Sequence, residues 1–186
     1  ELQGSLIGYK GEIAILSATT DAPDQNYWIE GMKGTLKLAK YRNMKLVEVA
    51  YGNDDPQKSL TEAEALLTKY PNLRGIISPT TVGVAAAAQA IESAGRAPQV
   101  QLTGLGTPNQ MRRFIKNGIV KAFALWSPLE EGYLASYMAV DMALGDMIAE
   151  EGETFIVPGL GVRTLGKDRV VITGPPTVFD KNNIDD

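Results

Sequence analysis

Carboxylates, amides and hydroxyls gather in a few short stretches of this chain. The first is Asp21-Ala22-Pro23-Asp24-Gln25-Asn26, the second Asn53-Asp54-Asp55, and the third Ser78-Pro79-Thr80-Thr81. A fourth, Gly104-Leu105-Gly106-Thr107-Pro108-Asn109, adds glycine, and Trp126-Ser127-Pro128 adds an indole. Carboxylates accept hydrogen bonds, amides and hydroxyls both donate and accept, and a tryptophan face packs on the C–H face of a ring. No Arg or Lys lies in any of these stretches. The set therefore suits a neutral polyol better than an anion. Carboxylates also permit acid–base chemistry, with Asp24 paired with Asp21 or Asp54. Hydrolysis of a glycosidic bond needs two carboxyl groups facing that bond across a defined gap, and nothing in the sequence sets such a gap.

Each residue also has a plainer reading. Asp24 and the pair Thr80-Thr81 stand where helix caps stand. Asp54 and Asp55 precede Pro56 and suit a turn or a cap. Trp126 at a strand end and Trp28 one turn into a helix both suit packing. Arg112, Arg113 and Lys116 read as a solvated helix face. Gly104-Leu105-Gly106 imitates a dinucleotide fingerprint, but its third glycine is absent and it follows the fourth strand rather than the first.

These stretches need elements to carry them, and the hydrophobic pattern supplies a strand–loop–helix rhythm. Apolar runs predict strands at Glu12–Ser17, Lys45–Ala50, Arg74–Ser78, Gln99–Thr103 and Lys121–Trp126. Helical spacing predicts helices at Asn26–Lys40, Ser59–Tyr70, Val82–Ala94 and Pro108–Lys116. Such alternation implies an α/β fold, a doubly wound, mostly parallel sheet of order 2-1-3-4-5. The polar stretches then fall at the carboxyl ends of the strands, where open parallel sheets bind ligands. Gly132–Ala149 predicts a long helix that is apolar around most of its circumference and so needs partners on several sides. Short extended pieces follow at Phe155–Val157, Val162–Leu165, Val170–Thr173 and Thr177–Phe179, with Gly159, Gly161, Gly166 and Gly174 as turns. The expected organisation is a linker or expression scar at 1–8, an α/β ligand-binding lobe at 9–128, the apolar helix at 129–153, and crossover strands with a tail at 154–186.

Composition narrows the chemistry further. The 186 residues include 18 Lys and Arg against 22 Asp and Glu, a net charge of -4 that argues against a phosphate-tracking nucleic-acid surface. There is no His and no Cys. A Ser-His-Asp relay, an HExxH zinc site, a thiolate nucleophile and disulfides are thereby excluded. No catalytic residue, metal or cofactor is expected. The opening Glu1-Leu2-Gln3-Gly4-Ser5 is not a basic, apolar leader.

The ordered motifs Asp24-Gln25-Asn26-Tyr27-Trp28, Tyr51-Gly52-Asn53-Asp54, Pro79-Thr80-Thr81-Val82-Gly83, Thr103-Gly104-Leu105-Gly106-Thr107-Pro108, Leu125-Trp126-Ser127-Pro128 and Phe179-Asp180-Lys181-Asn182-Asn183-Ile184-Asp185 resemble the type 1 periplasmic binding proteins of ABC sugar importers. The resemblance is to the branch of the rhamnose-binding and autoinducer-2-binding receptors. It implies the C-terminal lobe of a two-lobed protein, with the N-terminal lobe missing, and a periplasmic or lipid-anchored extracellular location. It also implies a small sugar as ligand, a transporter permease as partner, and a long apolar helix that packs on the missing lobe or drives self-association. It carries ligand contacts to Asp24 and Gln25, with Asn26, Pro79, Thr80, Thr81 and Trp126 completing the expected site. Autoinducer-2 receptors of this branch have Pro-Asp-Ala where Pro79-Thr80-Thr81 stands, and that departure favours a deoxyhexose over autoinducer-2. The sensor half of a LacI-type repressor shares this lobe and is the third alternative beside transport and enzyme.

Overall fold

The computed structural model describes residues 1–185. In chain order the elements are α1 (Leu2–Ile7), β1 (Lys10–Ser17), α2 (Pro23–Leu36), β2 (Asn43–Tyr51), α3 (Pro56–Lys69), β3 (Leu73–Ser78), α4 (Thr81–Ser93), β4 (Gln101–Gly104), α5 (Pro108–Lys116), β5 (Ala122–Leu125), α6 (Pro128–Leu144), β6 (Thr154–Val157), β7 (Gly161–Thr164) and β8 (Thr177–Asp180). They form two compact units. The first is Glu1–Leu125 together with the tail from Val178, and the second is Trp126–Thr177.

In the first unit β2, β1, β3 and β4 lie side by side in that order, all parallel. The sheet is the doubly wound one expected. The fifth strand is attached thinly, through one parallel bridge between Leu105 and Ala124 and the Gly106 N–H donating to the Ala124 carbonyl at 3.2 Å. β5 pairs on with β8, so the returning tail extends the sheet. Phe179 of β8 stacks on Phe123 of β5 with ring centroids 5.3 Å apart. Asp185 then bridges Arg112 at 3.1 Å and Lys116 at 2.9 Å. The basic face of α5 is thus partly a clamp for the tail and not only a solvated surface.

Side chains alternate across a strand, so each strand feeds both faces of the sheet. One face carries α3, α4 and α5 over a large core that includes Ala14, Leu16, Ile76, Leu102, Leu66, Ile91, Phe114 and Phe123. The other carries α1 and α2 over a small cluster of Ile7, Ile13, Tyr41 and Met44. Residues 1–8, expected as a linker, contain helix α1, which ends at Gly8 in the left-handed conformation that glycine favours. Gln3 and Ile7 of α1 are buried, and Gln3 donates to the Gln101 carbonyl at 3.2 Å across a gap that only Gly75 leaves open. Six residues are too few to show an apolar period, which is why the pattern gave no helix there.

Helix α2 begins at Pro23, earlier than the Asn26 expected, because proline is preorganised for the first helical position. It stops at Leu36 rather than Lys40, where Leu38 turns extended and Ala39–Tyr41 tighten into a 3-10 turn.

The second unit holds α6 and the antiparallel hairpin β6–β7, which closes through Pro158-Gly159-Leu160. Helix α6 starts at Pro128, with the Ser127 hydroxyl accepting from the Glu130 N–H at 3.2 Å, and ends at Gly145 with φ 79. The Gly132–Ala149 expectation was therefore displaced toward the N-terminus by a serine cap and cut short by a glycine stop. Leu134 is the buried residue of α6, while Leu129, Tyr133, Val140, Met142 and Leu144 are exposed. The strand expected at Val170–Thr173 does not form. The Val170 carbonyl accepts from the Gly166 N–H at 2.9 Å and the Thr173 carbonyl from the Arg163 guanidinium at 3.1 Å. Those bonds divert the carbonyls that a ladder would need.

Candidate functional site

The loops at the carboxyl ends of β1 to β4 are joined by hydrogen bonds into one rim. Gly52 N–H donates to the Ser17 carbonyl at 2.9 Å and Asn53 N–H to the Ala18 carbonyl at 2.8 Å, which ties the second loop to the first. The Thr80 hydroxyl donates to Asp54 Oδ1, tying the third loop to the second. The Ser78 hydroxyl donates to the Leu16 carbonyl at 2.7 Å, and Leu105 N–H donates to the Ser78 carbonyl at 2.9 Å. All but the Thr80–Asp54 bond use a backbone group that a strand end would otherwise leave unpaired. The strand ends and the second and third loops are consequently held as one frame, with Asp24 to Asn26 beyond its last tie.

Glycines let the frame close. A Cβ at Gly52 would stand 2.1 Å from Ser59 Oγ. At Gly104, where φ is +155, a Cβ would meet the Ser78 carbonyl oxygen at 1.9 Å. Gly106 faces Met111 and Phe123 in the same close way. The Gly104-Leu105-Gly106 run thus serves strand and helix packing, and the imitation of a dinucleotide fingerprint has that structural origin.

Asp24 lies in the first turn of α2 and is exposed, while Gln25 and Asn26 are half-buried. Ala22 is the N-cap and no side chain caps the helix, so Asp24 is not the cap. Its carboxylate sits instead where the helix dipole favours negative charge. Asn26 donates its amide to the Thr20 carbonyl at 2.9 Å and so braces the loop. Hydrogen bonding from Thr19 holds the Asp21 carboxyl below its usual range. Asp55 is a true cap, accepting from Lys58 N–H at 2.7 Å. Asp54 is not a cap: it is the partner of Thr80, which the one-dimensional pattern could not reveal across 26 residues.

Pro79 and Thr80 are buried and Thr81 is half-buried. Thr80 is the N-cap of α4 by backbone position, with no capping bond from its side chain. Its carbonyl receives the Val84 N–H at 2.9 Å, the first turn of α4. Six of the seven expected site residues therefore stand at one end of the first unit's sheet. Trp126 belongs to the second unit, where its indole N–H donates to Glu131 Oε2 at 2.8 Å. Asp54 is the rim residue that sequence reasoning left out of the site. Among the described residues no group of His, Cys, Asp and Glu is placed to hold a metal ion, and no helix is long and apolar enough to cross a membrane.

A doubly wound parallel lobe with a polar, glycine-closed rim at its strand ends defines a class: the ligand-binding lobe of a type 1 periplasmic binding protein. Comparison with known proteins makes the assignment specific. The periplasmic binding protein domain family matches residues 1–147, and the chain belongs to that family. A sugar ABC transporter from Actinomyces odontolyticus, known from its crystal structure, is 44% identical with a TM-score of 0.91, over 99% of this chain and 59% of its own. An ABC transporter solute-binding protein from Clostridium phytofermentas with bound L-rhamnose is 34% identical with a TM-score of 0.88, over 99% of this chain and 61% of its own. The D-ribose/D-allose-binding protein of Pseudomonas aeruginosa is 30% identical over 114 residues, which is 61% of this chain and 34% of that protein. The chain thus spans about three fifths of the length of these solved relatives. They are binding and transport proteins, and the enzyme alternative is set aside.

Proposed function

We propose that this chain is the sugar-binding lobe of an ABC importer's receptor and that its ligand is a deoxyhexose of the L-rhamnose type. The observation that carries the reading is the L-rhamnose-bound relative, which aligns over 99% of this chain at 34% identity. The Pro79-Thr80-Thr81 wall and the uncharged amides of the first loop support it. In this reading Asp24 and Gln25 hold sugar hydroxyls, with Asn26, Pro79 and Thr81 completing the wall. The permease of the importer is the partner, and the periplasm or the outer face of the cell envelope is the location. The exposed apolar residues of α6 are covered in the whole receptor by the part of the fold that this chain does not contain. A monodisperse monomer that takes up no hydrophobic dye would overturn that last point.

One lobe offers part of a two-lobed cleft, so its own affinity falls in the range of about 1 mM, worth about 4 kcal/mol. Amide-resolved NMR titration with L-rhamnose, D-ribose and D-allose suits that range. Saturable shifts at Gln25, Asn26 and Thr81 with L-rhamnose, and smaller ones with the other sugars, are the expected result. Equal response to all three removes the deoxyhexose, and no response to any removes the sugar site from this lobe.

A further inference from the structure

Pro79-Thr80-Thr81 presents two adjacent hydroxyls, and the structure gives them different work. Thr80 is buried and its hydroxyl proton is committed to Asp54 Oδ1. Thr81 is half-buried, in the first turn of α4. Asp54 reaches Thr80 from an unusual backbone. Asn53 has φ 56 and Asp54 φ 52, both in the left-handed region that residues with a side chain seldom adopt, Asn and Asp more readily than most. Two bonds hold that turn in place, Gly52 N–H to the Ser17 carbonyl and Asn53 N–H to the Ala18 carbonyl. A strained turn that persists needs surroundings that fix it, and such turns gather at functional sites. A capping role does not account for it, because Asp55 already caps α3.

We infer that Asp54 is the positioning residue of the ligand site: through the Thr80 hydroxyl it sets the start of α4, so that Thr81, not Thr80, donates to the ligand. The inference rests on the sugar-binding reading above for its ligand, but the clasp itself is a property of the free chain. An amide oxygen at this position can still accept from the Thr80 hydroxyl, although the bond to a carboxylate is the stronger.

Four consequences are measurable by the same NMR titration with L-rhamnose. Asp54→Ala and Thr80→Val each weaken binding about tenfold, the effect of one lost hydrogen bond to a charged group. The double variant is no weaker than either single one, because both remove the same clasp. Thr81→Val also weakens binding, and its effect multiplies with that of Asp54→Ala. Asp54→Asn, which keeps an acceptor, stays within about threefold of the parent chain. A general loss of fold would not show this pattern, because it would not be repaired by Asn or be non-additive with Thr80 alone. Unchanged affinity in Asp54→Ala, or multiplying effects of Asp54→Ala and Thr80→Val, would overturn the inference.

A second readout needs no sugar. Hydrogen exchange at the Val84 amide, which donates to the Thr80 carbonyl at 2.9 Å, reports the first turn of α4. Exchange should quicken in Asp54→Ala and Thr80→Val and return in Asp54→Asn. If the parent chain binds no sugar at all, the ligand reading falls and the clasp is judged by exchange alone. Unchanged exchange in both variants then overturns the clasp.

Discussion

The two faces of the first unit's sheet are built to different standards. The face under α3, α4 and α5 is dry and continuous: Leu66, Leu73, Ile76, Ile91, Leu102 and Phe123 are almost wholly buried there. The face under α1 and α2 retains a cleft of about 360 Å³ lined by Ile13, Ile15, Trp28, Met32, Met44 and Ile77. Helix α2 buries Ile29 and leaves Tyr27 80% exposed. Three buried polar atoms without a hydrogen-bond partner in the protein, Gln3 Oε1, Ser17 Oγ and Thr103 Oγ1, belong to α1 or, by strand alternation, to this same face. The contrast matters for binding because the proposed site draws on both faces. Pro79 to Thr81 are rooted in α4, on the dense face, and are clasped by Asp54. Asp24 to Asn26 open α2, on the sparse face, and are braced only locally by Asn26. One wall of the site is preorganised by the core, and the other is free to adjust to what it meets.

Truncation tests that contrast most directly. Ile91→Ala removes a wholly buried side chain from the dense face and should cost about 2–5 kcal/mol of unfolding free energy. Met32→Ala on α2, beside the cleft, should cost less than about 1 kcal/mol, because its surroundings are already open. Urea denaturation of both variants decides the matter. Equal losses would mean that the two faces are equally packed in solution.

The adjustable wall gives the next prediction. Asp24→Ala should weaken L-rhamnose binding by about 1.5–3 kcal/mol, the range for a hydrogen bond to a charged group. Because Asp24 is exposed and caps nothing, stability should stay within about 0.5 kcal/mol of the parent. Calorimetric or NMR titration next to a melting curve separates the two. Undiminished binding in Asp24→Ala would remove this residue from the site.

The orphaned hydroxyls of the sparse face allow a smaller and opposite effect. Thr103 is 5% exposed and its Oγ1 finds no partner in the protein. Thr103→Val keeps the shape and removes an unpaired polar group, so it should stabilise the chain by about 1 kcal/mol. A loss of stability instead would show that the hydroxyl is satisfied in solution and that this face is wetter than the dense one.

The same contrast explains what the sequence made legible. The strands stood out because their apolar runs are bounded by Gly, Pro or polar loops, and β1, β3 and β4 are largely buried on both faces. Helices α3, α4 and α5, which cover the dense face, were placed to within about three residues at either end. On the sparse face the pattern had less to offer: α1 is too short for a period, and α2 carries so little buried surface that its start was set by Pro23 and not by apolar spacing. The polar loops could be assigned to the strand ends from order alone. Their mutual bonds could not, because Asp54 to Thr80 and Ser78 to Leu16 join residues far apart in sequence and depend on parallel register.

The least forceful test concerns how α1 is held to the sparse face. Glu1 accepts hydrogen bonds from Tyr9 at 2.9 Å, from Tyr41, and from Lys40, and so links α1 to the 3-10 turn after α2. Lys40 and the two phenols favour the ionised carboxylate and hold its pKa at about 2, against an ordinary 4.5. A carboxyl whose folded pKa lies below its unfolded one stabilises the fold fully above pH 4.5, and that contribution fades as pH falls toward about 2. Glu1→Gln removes the titration while keeping an acceptor. The difference in denaturation midpoint between parent and variant should hold steady above pH 4.5 and shrink below it. Glu48, paired with Lys69 and Tyr70, and Asp185, paired with Lys116, are lowered in the same direction, so the comparison of variant with parent is what isolates Glu1. A difference that does not change with pH would mean that α1 rests on the sheet through Gln3 and Ile7 alone, and the sparse face would then lack its polar fastening.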